Sequence, residues 1–167
     1  EEDTADITAY ARIGDSKIIY WLSGSSYAAL MAADYNDLRH QELFFGDFDE
    51  VTSIDVALDG EAYSFTTQRD GKEQTWLYED AEIEIDDLQE SLEALTAEEF
   101  TSEKATGQLE ISLTLHLDNE AQTEVTISLY RYDGIQCLTA VDGKSTAYVL
   151  RNEAVELMEA VRAIVLN

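Results

Sequence analysis

The sequence contains no proline, one cysteine and two histidines among its 167 residues. Without proline, every tight turn has to be built from Gly, Asp, Asn or Ser. The single cysteine, Cys137, rules out an intrachain disulfide, and its apolar, strand-like surroundings in "GIQCLTAV" predict a buried core residue. A Ser-His-Asp triad would have to use His40 or His116, and neither has a Cys or His partner at the spacing of a zinc site.

Basic residues are also scarce. The chain has 10 Lys and Arg against 36 Asp and Glu, which gives a formal net charge of −26. This balance argues against nucleic acid as a partner, because phosphate binding needs clustered Lys and Arg. It argues equally against adsorption to an anionic membrane surface. No run of about 18 apolar residues is present, so we expect no direct membrane insertion by this part of the protein.

Asp-Gly pairs supply the turns that proline does not. They begin at Asp59, Asp70, Asp133 and Asp142, and Asp118-Asn119 is a weaker fifth turn signal. Asp-Gly tolerates the positive φ angles of tight hairpins. Between the turns, "VTSIDVAL", "ISLTLHL" and "EVTISLYRY" alternate apolar and polar residues, a pattern typical of half-buried antiparallel strands. The same alternation places the histidine of "ISLTLHL" on the polar face.

Three stretches have the spacing of helices instead: "SSYAALMAA", "IDDLQESLEAL" and "NEAVELMEAVRAIVLN". A serine is expected to cap the first helix. In the second, the leucines form an apolar stripe, and Asp87 with Glu90 resembles a capping box. In the third, Asn152 is the predicted N-cap.

Two segments repeat one order of elements. "GDSKIIYWLSGSSYAALM" (14–31) and "DGKSTAYVLRNEAVELM" (142–158) each read as a turn, a strand with a central Tyr and a helix ending in Leu-Met. The sequence therefore predicts an α+β fold: antiparallel β-hairpins form a meander sheet, helices pack on one face, and strand-strand-helix units repeat. We expect residues 1–47 to be the end of an upstream strand-helix unit. Residues 48–167 are expected to form the β-meander plus helix units, closely packed with it as one globular body.

Local motifs offer little chemistry. "GKST" at 143–146 lacks the glycine five residues earlier and precedes a strand, so it predicts a hairpin turn and not a phosphate loop. "SGSS" lacks the Gly-x-Ser-x-Gly pattern of a nucleophile elbow. The acids of "GDFDE" and "EDAEIEIDD" could hold Ca²⁺ or supply a carboxylate pair for glycoside hydrolysis, but neither has the spacing of a known loop. No catalytic, cofactor-binding or metal residue is predicted, and no cofactor is expected.

The aromatic residues fall into two groups. Trp76 follows a hairpin in a strand and is predicted to lie in the core. Tyr35, Phe44, Phe45 and Phe48 cluster in an irregular stretch. We expect them to line either an interface between the two units or a partner-binding surface, where exposed aromatic residues are common.

The order of several segments resembles a bacterial family known as domain of unknown function 4340. These segments are "YARIGDSKIIYWL", "DLRHQELF", "DEVTSIDVALDGEAYSF", "DGKEQTWLY" and a Leu-striped helix ending "LTAEEF". The likeness covers Tyr10 to about Phe100. Members usually carry a Gly-Leu-x-x-Pro stretch that "TSEKATGQLEISL" lacks, so this chain would be a divergent member. The resemblance implies an extracytoplasmic position, attachment to the cytoplasmic membrane through an N-terminal segment, and ABC-type membrane transport proteins as partners.

Taken together, these features favour a non-catalytic extracytoplasmic accessory or binding module that is a monomer or a weak oligomer. Two alternatives stay open. One is an acid-carboxylate glycan hydrolase, and the other is a calcium-stabilised structural module.

Overall fold

An antiparallel sheet of nine strands dominates the computed structural model, which describes residues 9–70 and 73–166. The chain divides into two units, Glu1–His40 and Gln41–Asn167. The boundary between them lies a few residues before the one predicted from the sequence.

The first unit is a small strand-strand-helix element. Strands β1 (Ala9–Ala11) and β2 (Tyr20–Leu22) pair in antiparallel fashion and lead into helix α1 (Gly24–Ala32). The side chain of Ser23 caps α1 by accepting a hydrogen bond of 3.1 Å from the backbone N–H of Ser26. The predicted helix and its serine cap are therefore confirmed.

The second unit contains the nine-stranded sheet and two further helices. Its strands are β3 (Val51–Leu58), β4 (Glu61–Asp70), β5 (Glu73–Tyr78), β6 (Ala81–Ile83), β7 (Glu99–Phe100), β8 (Leu109–Leu117), β9 (Glu124–Arg131), β10 (Gln136–Val141) and β11 (Lys144–Leu150). Their order in the sheet is β6-β5-β4-β3-β8-β9-β10-β11-β7, with antiparallel pairing throughout. Helices α2 (Asp86–Glu93) and α3 (Arg151–Val165) complete the unit.

The alternation of apolar and polar residues along the strands places rows of buried apolar side chains across the sheet. Because strand register pairs apolar residues with apolar residues, Val56 lies opposite Leu113, which lies opposite Ile127. These rows join one core cluster with the buried leucines of α2 and α3, including Leu88 and Leu157. Both helices therefore cover the same face of the sheet, as the alternation predicts.

A hairpin precedes each of the three helices. The pair β1–β2 leads into α1, β5–β6 into α2, and β10–β11 into α3. The predicted α+β fold of antiparallel strands and helices is confirmed. That residues 1–47 end an upstream unit stays a prediction.

Two predicted helix caps are wrong. Asn152 lies inside α3, which begins at Arg151 because β11 runs into the helix without a loop; the first helical N–H is satisfied by the carbonyl of Ile135 (2.7 Å). Asp87 and Glu90 both lie inside α2, whose N-cap is Ile85 without a side-chain cap. Burial of the neighbouring apolar residues sets these helix starts, and a favourable cap is worth only about 1 kcal/mol.

The Asp-Gly turns lie where the sequence predicts them, as far as the described residues reach. Asp59 and Asp142 have positive φ angles of 55° and 49°, each followed by a glycine with a positive φ. At the β9–β10 turn, the carboxylate of Asp133 accepts hydrogen bonds from two backbone N–H groups at 2.7 Å. Gly71 of the remaining pair lies outside the described residues. One tight turn was missed: Glu79 and Asp80 connect β5 to β6 with positive φ angles and no glycine.

Residues 101–108 form a segment that crosses the sheet from its edge strand, β7, to the central strand β8. Leu138 and Tyr148 alternate with core residues, so they point away from the helices, yet both are buried. Glu103 of the crossing segment bonds to the hydroxyl of Tyr148 (2.5 Å), and the carbonyl of Gln108 accepts from the N–H of Arg131 (2.8 Å). The segment thus covers part of the second face of the sheet.

Candidate functional site

The two histidines do not assemble a catalytic triad. His116 lies on the polar face of β8, with its Nε2 2.9 Å from Asp55 and its Nδ1 3.6 Å from Glu124. Hydrogen bonds with His116 and Ser64 hold the pKa of Asp55 below its usual value. The carboxylate therefore lies between the serine and the histidine, whereas nucleophile activation needs the histidine in the middle. His40 is exposed in a loop of the first unit.

The acidic stretches singled out in the sequence have structural or solvated roles. Asp47 caps the short 3-10 helix Phe48–Glu50 by accepting from the N–H of Asp49 (3.0 Å). Glu50 accepts from the side chain of Asn119 (2.7 Å). Among the described residues, no group of three or more His, Cys, Asp or Glu could hold a metal ion. The calcium alternative therefore gains no support from the described part of the chain.

The aromatic cluster separates into core and surface. Phe44 and Phe48 are buried in the second unit, where Phe48 packs against Trp76 with ring centroids 5.7 Å apart. Tyr35 in the first unit and Phe45 in the second are exposed. Burial of Trp76 and Cys137 confirms their predicted core positions.

A cleft of about 600 Å³ in the second unit brings together side chains that the sequence analysis did not connect. Its walls carry Arg131, Arg151 and Arg162, which are three of only six arginines in this acidic chain. Two carboxylates, Asp59 and Glu110, lie among them. We call this site the arginine cleft. Three positive charges against two negative ones leave it with a local excess of one positive charge.

Helix α3 supplies one wall of the arginine cleft. Arg151, Val155, Met158 and Arg162 line it, and they are separated by four, three and four residues. This spacing places all four side chains on one face of a helix. The wall therefore has an arginine near each end and two apolar side chains between them.

The opposite wall comes from the sheet. Arg131 ends β9, and Glu110 lies near the start of β8, where the register shifts between Leu109 and Ile111. A β-bulge of this kind changes the direction in which a side chain such as that of Glu110 points. Leu109, Gln108 and the Asp59–Gly60 turn complete the lining.

Glu110 holds two of the arginines. Its side chain is only 8% exposed, and its Oε1 lies 2.8 Å from Nε of Arg131 and 3.3 Å from Nη2 of Arg151. Burial alone would raise the pKa of Glu110. Hydrogen bonds from the Cys137 thiol and Arg151, together with the charges of both arginines, outweigh burial and hold that pKa below its usual value.

Cys137 lies beneath this network as a hydrogen-bond donor. Its Sγ lies 3.3 Å from Oε2 of Glu110. Burial, with the hydrogen bond and charge of Glu110, raises the pKa of the thiol to about 12. The thiol is therefore protonated at neutral pH and is not a nucleophile.

The position of Arg151 at the start of α3 is electrostatically unfavourable. It is the first residue of α3, where a positive side chain opposes the helix dipole at a cost of about 0.3–1 kcal/mol. Its Nε is buried and, among the described residues, has no hydrogen-bond partner. A buried donor without a partner carries an unfavourable desolvation cost.

Arg162 pairs with Asp59 at the rim. Its Nε and Nη2 donate to the same oxygen, Oδ2 of Asp59, at 3.1 and 2.8 Å. The aspartate belongs to the β3–β4 turn and its side chain is 61% exposed. This pair is therefore solvated, in contrast to the buried Glu110 network.

The arginine cleft can bind anions, because guanidinium groups donate paired, charge-assisted hydrogen bonds to carboxylate or phosphate. Among the described residues that line it, none is Ser, Thr, His, Lys or Tyr.

Comparison of this α+β protein with protein-family models, with curated proteins and with solved structures finds no match. The resemblance to domain of unknown function 4340 thus stays a prediction. No helix among the described residues combines the length and apolar character needed to cross a membrane.

One signal in the sequence could have indicated the cleft. In a chain with only ten bases, the spacing of α3 places two arginines on one face of the helix, with Val155 and Met158 between them. The partners of these arginines could not have been found in this way, because Asp59 is 103 residues from Arg162.

Proposed function

We propose that this protein is a non-catalytic binding module that takes an anionic ligand in the arginine cleft. The observation that carries the proposal is the concentration of three of the six arginines at one cleft in a chain of net charge −26. Structural ion pairs alone would not require a third arginine or an excess of positive charge.

The cleft gives the hydrolase alternative little support. A glycosidase needs a carboxylic acid with a raised pKa that can protonate the leaving group. The pKa of Glu110 is shifted in the opposite direction by its thiol and arginine partners. The second carboxylate, Asp59, is bound to Arg162 and exposed at the rim.

We further propose that the binding module is the accessory domain implied by the family resemblance, positioned outside the cytoplasmic membrane and serving an ABC-type transport assembly. This part of the proposal rests on the order of sequence segments alone. The cleft would then be its ligand-recognition site.

Replacing Arg131 by Gln is expected to weaken binding of citrate about tenfold, since a hydrogen bond to a charged group contributes about 1.5–3 kcal/mol. Arg131 is half exposed, so the substitution removes a binding group with limited disturbance of packing. Binding is measured by NMR, from the shifts of arginine Nε–H signals during titration with citrate or inorganic phosphate. Salt is kept near 0.15 M, where the Debye length is about 8 Å, so that acids farther than this from the cleft repel the anionic ligand only weakly.

Arg69→Gln is the matched control. Arg69 is an exposed strand arginine that bonds to the carbonyl of Asp49 and the side chain of Gln74, outside the cleft. It should leave citrate binding unchanged. If neither citrate nor phosphate moves the signals of Arg131 and Arg151 at millimolar concentrations, the proposed function is wrong.

A further inference from the structure

The two ends of the arginine cleft are far apart and differ in chemistry. Arg151 and Arg162 are eleven residues apart on α3, which places their backbones about 16 Å apart along the helix axis. Val155 and Met158 line the cleft between them, and Leu109 lines it from the sheet. A ligand that fills the cleft lengthwise would thus meet positive charge at both ends and apolar side chains in the middle.

The end near Arg151 is ready to bind an anion. Arg131 and Arg151 share one carboxylate, Glu110, so one positive charge is left over. Glu110 is buried beneath them and held by three donors, the third being the Cys137 thiol. It is therefore a fixed part of the site and not a group that a ligand would displace.

At the other end of the arginine cleft, Asp59 forms an ion pair with Arg162 that a ligand carboxylate can displace. Both nitrogens of Arg162 converge on one oxygen, Oδ2, and no hydrogen bond from a described residue reaches Oδ1 of the same side chain. A free carboxylate can offer both oxygens in two parallel hydrogen bonds, which is the stronger arrangement. Exposed pairs such as Asp59–Arg162 contribute little on their own, so displacing Asp59 costs little.

We propose, on the basis of the anion-binding function above, that the ligand is an elongated dicarboxylate with an apolar middle. One carboxylate lies at Arg131 and Arg151, and the other displaces Asp59 from Arg162. Two sources offer this chemistry. One is a free long-chain dicarboxylic acid. The other is an extended acidic peptide with carboxylates four residues apart, which spans about 13 Å and places apolar side chains between them.

The first experiment compares dodecanedioate with its monomethyl ester by titration calorimetry against the whole chain. The two probes share the same carbon chain and apolar middle, but the ester carries a methyl group in place of the second charge. We expect the dicarboxylate to bind about tenfold more tightly than the ester. Arg162→Gln should remove this difference while leaving the affinity of the ester unchanged.

Asp59→Asn tests the displacement itself. Asn accepts the positive φ of this turn position, so the hairpin is retained, while the competing charge is removed. The variant should bind dodecanedioate several-fold more tightly than the unmodified chain and bind the ester equally well. Asp142→Asn is the matched control, since it makes the same change at another Asp-Gly turn with a positive φ, and it should alter neither affinity.

A second experiment compares the affinity of acetyl-Asp-Leu-Val-Leu-Asp-amide with that of the same peptide carrying Asn at its last position. Tighter binding of the diacidic peptide than of dodecanedioate indicates a peptide source, and the reverse order indicates a free dicarboxylic acid. Equal affinities of diacid and ester, or a loss of diacid affinity in Asp59→Asn, would overturn the inference. If the ester still binds through Arg131 in that case, the anion-binding function stands. If ester, citrate and phosphate all fail to bind, both proposals are wrong.

Discussion

Replacing Gly107 by Ala is expected to lower the free energy of unfolding by about 3 kcal/mol, the upper part of the range for steric overpacking. A Cβ at this position would overlap the carbonyl oxygen of Arg131, which belongs to the backbone of β9 and cannot turn aside as a side chain can. This overlap is removed only if the crossing segment 101–108 moves away from the sheet. The hydrogen bond from the N–H of Arg131 to the carbonyl of Gln108 (2.8 Å) would then be lost as well.

The measurement is the midpoint of urea unfolding, followed by the melting temperature, which should fall by about 10 °C for a chain of this size. Gly134→Ala is the control, because a Cβ there meets nothing within 4 Å. It should change stability by less than about 0.5 kcal/mol. Equal stability of the two variants would show that the crossing segment does not lie against β9 as described.

The same substitution should also affect binding. Gln108 and Leu109 directly follow Gly107, and both line the arginine cleft with Arg131. Displacing the crossing segment therefore moves one wall of the site. Gly107→Ala should weaken citrate binding even at temperatures where the variant is fully folded, and Gly134→Ala should not.

The sheet was largely predictable from the sequence because its determinants are local. Alternation in "VTSIDVAL" and "ISLTLHL" indicated which residues point to the core, and Ile54 and Leu115 do pair there. The Asp-Gly pairs at Asp59 and Asp142 indicated hairpins because both residue types accept the positive φ that such turns need. The turn at Glu79–Asp80 was missed because no glycine follows Asp80, although Asp itself tolerates a positive φ.

The arginine cleft was not predictable because its determinants are non-local. Its two ion-pair systems join Asp59 to Arg162 and Glu110 to Arg131 and Arg151 across long stretches of chain. Their meeting depends on strand order, on the register shift that re-aims Glu110, and on where α3 crosses the sheet. None of these is encoded by spacing within one segment. The same holds for the crossing segment, whose sequence "TSEKATGQ" lacks periodicity.

Replacing Glu110 by Gln is expected to lower the free energy of unfolding at pH 7 by about 2–3 kcal/mol. Removing one partner of a fully buried ion pair costs about 3–5 kcal/mol, and the partial exposure of Arg131 and Arg151 reduces that value. Glutamine keeps the shape and one acceptor, so the loss reports mainly the charge. Asp55→Asn is the control, since Asp55 is an exposed carboxylate paired with His116, and it should cost less than about 1 kcal/mol.

The pH dependence of that loss tests its electrostatic origin. The pKa of Glu110 is lower in the folded chain than its ordinary value of 4.5, so the unfolded chain binds this proton more readily. The stability that Glu110 contributes is thus complete above about pH 4.5 and is lost as the pH falls through the folded pKa.

With 36 acids in the chain, acid also relieves general repulsion, so the difference in the free energy of unfolding between the unmodified chain and Glu110→Gln is measured at each pH. We expect a constant difference from pH 5 to 8 that shrinks below pH 4.5. A difference that is the same at pH 3.5 and pH 7 would mean that glutamine disturbs packing around Cys137, and that the arginines do not depend on the charge of Glu110.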